Sequence, residues 1–484
     1  MPIYHRNGHM TSAADICCLT LSLLLKDKVS FPGSPVYTAS LGSYFTLQQA
    51  NIHPYCIVSP ETTHDVSTAV QVLTSGTSIG PVCPFAVQSS GHSTSAGASN
   101  VQDGVTVDLR GLDAIATSQD GFVVSIGTGA TWGAVYSYLD HLGLSVAGAR
   151  SSTVGVGGLS TGGGISYFGP HYGWTCDTVR NSEVVLANGS IVNANHDENR
   201  DLLWALRGGS NNFGIVTRLD IQGFQQGDLW GGNVQHAMSA HGEEIAAVAE
   251  FSTLATYDEH ASLISTFGYS EGGAFIINSI EYTKDEANPP VFQKLLQIPS
   301  LSSTLRTTNM TDLSTEIGWQ QTNGHQASYA TVTISPTVEA INATVGAWNS
   351  SVSSIQDIHG IVWSIVLGQL PPDIYAQHAE DNALGLGGRQ NKSLMVVLLS
   401  ITWSNAEDNI RVETAMKALI RTIEQEAGKL GALDPYQYLN YAAAWQDPIA
   451  SYGQASINRL VKVQREYDPR KIFTDYVPGF KVPN

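Results

Sequence analysis

Three short stretches hold residue types at spacings suited to chemistry. The first is Gln88-Ser89-Ser90-Gly91-His92-Ser93, which follows a short apolar run from Pro84 to Val87. Small residues at a strand end offer backbone N–H groups and hydroxyls that can cradle a diphosphate without a lysine. A surface loop carrying a hydrogen-bonded histidine is the competing interpretation. The second is Thr153–Gly164 (TVGVGGLSTGGG), where Gly155, Gly157, Gly158, Gly162 and Gly163 would let backbone approach a flat ligand or a phosphate and adopt positive φ. No G-K-[ST] ends it, so it is not a P-loop; a bland glycine turn stays open. The third is Tyr438-Leu439-Asn440-Tyr441. Read as a strand, it puts Tyr438 and Asn440 on one face and Leu439 and Tyr441 on the other. A phenol serves as a base only where its anion is stabilised, and packing is the alternative role for the pair. No Ser/His/Asp order, H-E-x-x-H or paired-carboxylate motif stands out. The five cysteines (Cys17, Cys18, Cys56, Cys83, Cys176) have neither zinc-ligand spacing nor a C-x-x-C, and an odd number cannot all pair internally. No metal site is expected.

The elements that must position these stretches alternate in type over the first half. Val66, Ala69, Val70 and Leu73 stand at i, i+3, i+4 and i+7 of an amphipathic helix over 65–73. Strands are expected at 84–87, 105–109 and 122–126. Thr131 caps a helix with Val135, Leu139 and Leu142 on one face, stopped by Gly143. A hairpin is expected from Glu183 to Asn193 around Asn188-Gly189. After about residue 222, alternating stretches such as 329–334 and 394–403 point to a larger antiparallel sheet. A helix over about 407–430 carries Ile410, Leu419, Ile420 and Ile423.

The 484 residues carry 24 Lys+Arg against 42 Asp+Glu, a formal charge of −18. That balance argues against nucleic acid and anionic membranes as partners. With 42% hydrophobic and 14% charged residues the chain is core-forming and not disordered. Its 47 glycines exceed the usual share of roughly 7%. The apolar run Ile16–Leu25 is too short to cross a bilayer, which takes about 20 residues. It is expected to be a helix capped by Thr11 or Ser12 with Leu21, Leu24 and Leu25 inward. Five N-x-S/T sequons (Asn188, Asn309, Asn342, Asn349, Asn391) favour a secretory or extracellular location, with a cytosolic one left open.

The three stretches, in this order, resemble the berberine bridge enzyme-like branch of FAD-linked oxidases. These belong to the vanillyl-alcohol-oxidase type with a PCMH-type FAD-binding domain, and the likeness is greatest to fungal natural-product members. It is carried by PETTHDVSTAVQVL (60–73), Ser90–Ser93, DGVTVDLR (103–110), the glycine segment, 184–191, 201–216, Tyr438–Tyr441 and YDPRKIF (467–473). It spans about residues 15–480 and thins in the middle.

The resemblance implies an α+β, two-domain flavoprotein. Residues 1–55 would be an N-terminal helical segment of the FAD domain, 56–222 the PCMH-type FAD-binding domain, and 223–434 a substrate domain with an antiparallel sheet backed by helices. Residues 435–484 would return to the FAD domain. His92 would be bonded to the C8-methyl carbon of FAD. Gln88, Ser89, Ser90, Gly91 and Ser93 would surround the pyrophosphate, with the glycine segment, Ile215 and Val216 completing the cofactor site. Plant members often have a second, cysteine link in the glycine segment; Gly155 stands there, which implies a single link. Gln88 stands where many relatives have Arg, so backbone N–H groups would carry more of the binding. Tyr441 would be the base, with Tyr438 and Asn440 beside it. Cys17 or Cys18 would pair with Cys56, leaving the other an odd thiol. The implied activity is oxidation of a small molecule by proton abstraction and hydride transfer, with O2 giving H2O2. A flavin-fold cyclase is the rival, a non-catalytic carrier the less favoured one. No membrane span is expected, and the chain would be a monomer or weak dimer.

Overall fold

The architecture comes from a computed structural model describing residues 12–75, 82–253, 257–319, 323–389 and 392–483. Helix Ala13–Leu25 starts at Ser12, whose side chain accepts from Asp15 N in a capping box; Thr11 lies outside the described residues. Ala14, Cys17, Cys18, Leu21 and Leu25 form its buried stripe. Leu24, expected inside, is 55% exposed because it falls at the rim of that stripe.

Cys17 bonds Cys83 and Cys18 bonds Cys56. The expected Cys56 pairing is thus Cys18's. The expected odd thiol is not the neighbouring cysteine, since consecutive helical residues point about 100° apart, and Cys18 reaches strand Cys56–Val58 while Cys17 reaches the segment before strand Phe85–Gln88. The free thiol is the buried Cys176.

Cys56–Val58, Val105–Asp108 and Phe85–Gln88 pair in parallel, and Val29–Ser30 adds an antiparallel edge to Cys56–Val58. Helix Thr63–Thr74 packs here with Val66, Ala69, Val70 and Leu73 fully buried. A second, antiparallel sheet is organised by the long strand Ile215–Gln225, which pairs with Val123–Gly127 and Val179–Val185. Val179–Val185 and Ile191–Asn195 form the expected hairpin. Thr131 caps helix Trp132–Asp140. Leu142, expected on its inner face, is half exposed because the helix has already ended.

Residues 229–434 contribute a nine-stranded sheet whose pairings are all antiparallel among the described residues. Its two faces have separate tasks. On strand Gly273–Tyr282, Ile276 and Ile280 are fully buried among residues of helices His241–Ser252, Val338–Ser351 and Asn409–Lys429. The alternate residues Phe275, Ile277 and Ser279 line a cavity on the other face. In helix Asn409–Lys429, Leu419, Ile420 and Ile423 are buried as expected, but Ile410 is 81% exposed, being in the first turn beyond the sheet's cover.

The last fifty residues hydrogen-bond back to the first half. Arg470 donates to the carbonyls of Thr74 and Ala187, and Asn212 donates to the Phe480 carbonyl.

Candidate active site

A cavity of about 780 Å³ runs from the Ser89–Ser99 segment to the nine-stranded sheet. Strand Phe85–Gln88 delivers the first cluster to its wall. Gly91 sits at φ +79°, where a Cβ would stand 2.8 Å from the Tyr44 ring. Its carbonyl accepts from Phe45 N, and Phe45 stacks on His92 with ring centroids 4.3 Å apart. On its other side His92 Nε2 lies 3.2 Å from Thr153 Oγ1. The imidazole is therefore held in place at the cavity wall, which Ser89, Ser90, Gly91 and Ser93 share.

Gln88 behaves otherwise than expected. It is fully buried, does not line the cavity, and donates to Ser43 Oγ at 2.9 Å. The strand's alternation turns it away from the side that Val87 and Ser89 face.

The glycine segment is less of a loop than expected, since Val156–Thr161 forms a short helix behind Gly155. Gly155 must lack a side chain: a Cβ there would lie 2.5 Å from Ser90 Oγ and 2.7 Å from Ser89 Oγ. Gly158 has no atom within 4 Å of where a Cβ would be, while its backbone lines the cavity. Gly157, Ile215 and Val216 line it too. Gly162 and Gly163 do not. They make room for the third cluster, a Cβ on Gly162 falling 2.1 Å from Asn440 Oδ1.

That third cluster is a 3₁₀ turn, Leu439–Tyr441, and not a strand. With three residues per turn, i and i+3 share a side, so Tyr438 and Tyr441 meet edge to face at 4.8 Å. The Tyr438 hydroxyl accepts from Gly164 N and from Asn440 Nδ2, each at 3.0 Å, and Asn440 Nδ2 also donates to the Leu159 carbonyl. Burial pushes the Tyr438 phenol well above its ordinary range. Tyr441 is only partly buried, and its hydroxyl accepts from Arg150 Nη2 at 2.7 Å.

Arg150 and Glu281 escaped the sequence reading. Among the described residues, Arg150 is the one Asp, Glu, Lys or Arg that lines the cavity. Its only signal was a lone cation three residues before the glycine segment. Glu281 lies two residues beyond Ser279 on the same face of its strand. It is 1% exposed, and its Oε2 has no hydrogen-bond partner. Burial raises its carboxyl to about 8, even though Arg150 and Tyr167 pull it down.

The residues fit a flavin dinucleotide. The groove between Ser89–Ser99 and Gly155–Thr161 is lined by hydroxyls and glycine backbone, and a Cβ at Gly155 would close it against Ser89 and Ser90. The sheet side leaves space over Arg150 and Tyr441.

A family model described as an FAD binding domain matches residues 54–195. The FAD-dependent monooxygenase CTB5 of Cercospora beticola is 34% identical over 489 residues, covering 98% of this chain and 92% of its own length. A Diaporthe leptostromiformis protein named Oligopeptidase PhomG' is 39% identical over 471 residues, covering 95% of this chain; the chain spans only 37% of that protein's length. The solved structure of berberine bridge enzyme from Eschscholzia californica aligns with a TM-score of 0.77 at 16% identity, covering 96% of this chain and 99% of that one. Fold and cavity together define an α+β flavoprotein architecture of the PCMH type. The chain belongs to the family of fungal FAD-dependent monooxygenases that includes the Cercospora protein, and it shares the fold of berberine bridge enzyme.

Proposed function

We propose that this chain is an oxidase of a small organic molecule of secondary metabolism, with FAD attached through His92 and O2 as the final electron acceptor. The observation that carries it is the 2.7 Å contact between Arg150 Nη2 and the Tyr441 hydroxyl at the cavity wall. FAD, when bound, supplies the acceptor for a substrate hydride and the subsequent reaction with O2 that yields H2O2.

Tyr441 receives the proton of a substrate hydroxyl or activated C–H. It does so as its anion, and the guanidinium beside it, a permanent cation, stabilises the negative charge that the phenol oxygen carries before the transfer and loses in it. Tyr438 is a positioning residue: its hydroxyl already accepts two hydrogen bonds, and its ring sets the edge against which Tyr441 rests. Asn440 ties that turn to the glycine segment. Ser89, Ser90, Ser93 and the backbone of Gly155–Gly158 hold the diphosphate without a cation. His92, clamped by Phe45 and Thr153, is the attachment point, and Gly155 leaves no thiol for a second one.

Two disulfides support passage through an oxidising secretory route. So do four exposed sequon asparagines, Asn188, Asn309, Asn342 and Asn349; Asn391 lies outside the described residues. No described helix is long and apolar enough to cross a membrane.

The test offers metabolites that accumulate in a strain lacking the gene to the purified holoprotein. The flavin is expected to bleach without air and, in air, one O2 to be consumed and one H2O2 formed per product. Product formation without oxygen uptake overturns the oxidase and points to ring closure. An 18O atom from 18O2 in the product indicates a monooxygenase, the activity in the Cercospora protein's name.

A further inference from the structure

The half of the cavity under the nine-stranded sheet has a one-sided charge inventory. Its walls include Ile264, Ile277, Val366 and Leu398, and its polar groups there include the hydroxyls of Ser279, Ser364, Ser400 and Thr402. The chain has 42 Asp and Glu. None of those described lines this cavity; Arg150 alone brings a formal charge. The carboxyl nearest in the fold, Glu281, is kept neutral over most of the range below its raised value, so it does not cancel that charge at neutral pH.

We propose that the substrate of this site is a largely apolar molecule presenting one acidic oxygen (an enol, phenol or carboxyl) to Arg150, and that the site rejects amines. The proposal rests on the sheet side of the cavity being the substrate chamber of the oxidase described above. A guanidinium has five N–H donors and gives one of them to Tyr441. An acidic oxygen placed beside it accepts charge-assisted hydrogen bonds, which are shorter and stronger than neutral ones. An ammonium in the same place meets a like charge at an effective dielectric far below that of water and finds no carboxylate on the wall.

The experiment uses one apolar body with three headgroups: 2-naphthoate, 2-naphthol and 2-naphthylmethylamine. Dissociation constants come from the perturbation of the flavin absorption spectrum of the holoprotein at pH 7, checked by calorimetry. The expected order is naphthoate tightest, naphthol next and the amine weakest, with at least tenfold between first and last. Arg150→Gln is expected to shrink that gap to less than threefold and Arg150→Lys to keep most of it. An amine that binds as tightly as the naphthoate overturns the proposal, as does a gap that survives in Arg150→Gln. If Arg150→Gln does not fold, the wild-type order and Arg150→Lys decide. The two readings fail separately. Tyr441→Phe is expected to stop flavin reduction while leaving the order of the three ligands intact. A flat order with normal turnover sinks the substrate class alone, and the expected order with no oxygen uptake sinks the oxidase alone.

Discussion

Glu281→Gln isolates the most perturbed carboxyl at the site and gives a stability change with a definite sign. In the unfolded chain this carboxyl loses its proton near the ordinary 4.5; in the fold, burial holds the proton until about 8. Between those values the unfolded state binds fewer protons than the native one, so wild-type stability falls as pH rises through the window. Each pH unit inside it is worth about 1.4 kcal/mol, and pH 5 to pH 7 spans two, or roughly 3 kcal/mol. Glutamine keeps the shape and does not titrate. The variant is therefore expected to gain about 3 kcal/mol on the wild type over that interval. For 484 residues the unfolding entropy near the midpoint is on the order of 1 kcal/mol per degree. The gain then appears as a Tm difference that grows by about 3 °C. The assay is thermal unfolding of both holoproteins at half-unit steps from pH 5 to pH 8. Parallel profiles, or a wild type that gains on the variant as pH rises, would refute the reasoning. Glu281 would then be ionised beside Arg150 at neutral pH, and the uncompensated cation on which the substrate class depends would be lost.

Other perturbations reach the remaining parts of the site. His92→Ala is expected to release all yellow colour into the supernatant on acid precipitation, whereas the wild type keeps it in the pellet; colour lost from the wild type as well rules out the covalent link. Gly162→Ala drives a Cβ into Asn440 and is expected to cost about 1–3 kcal/mol, the usual range for overpacking, with Tyr441-dependent flavin reduction slowed in stopped flow; an unchanged Tm and rate would mean the turn relaxes freely. Joint replacement of Cys17 and Cys83 by serine opens a 66-residue loop and is expected to cost about 4 kcal/mol by chain entropy, read by urea unfolding. Alkylation before and after reduction should find four of the five cysteines oxidised and Cys176 reactive only after unfolding.

What was legible in the sequence was periodicity and punctuation. Helix Thr63–Thr74 followed from its apolar spacing because it buries one stripe, and strand Leu394–Trp403 from a long apolar run whose two faces are both covered. The Tyr438–Tyr441 turn was not legible: a four-residue stretch has no periodicity to measure, and Gly162, nearly 280 positions upstream, is what gives Asn440 its place. Gln88 misled through its position beside cavity residues, since strand alternation sends neighbours to opposite sides. Arg150 and Glu281 were hidden for a different reason. A lone arginine or glutamate in a strand or loop reads as surface, and only the tertiary fold buries Glu281 and sets Arg150 against the Tyr441 hydroxyl. Ile410 and Leu142 show the reverse error, apolar residues at helix ends where no neighbour arrives to cover them.

The adjacent cysteines at the start of the chain bear on how the protein can be made. Cys17 and Cys18 have partners 66 and 38 residues downstream, and four cysteines allow three connectivities. One of the two wrong ones joins the vicinal pair, and the other crosses the partners. The first leaves the Ala13–Leu25 helix untethered, and the second ties it at the wrong places to strand Cys56–Val58 and to the segment just before strand Phe85–Gln88, which leads directly into Ser89–His92. A shuffled chain could thus be soluble and still present a misplaced imidazole. Recombinant preparations from a reducing host should accordingly vary in flavin content from batch to batch, and coexpressed disulfide isomerase, more than added riboflavin, should restore it.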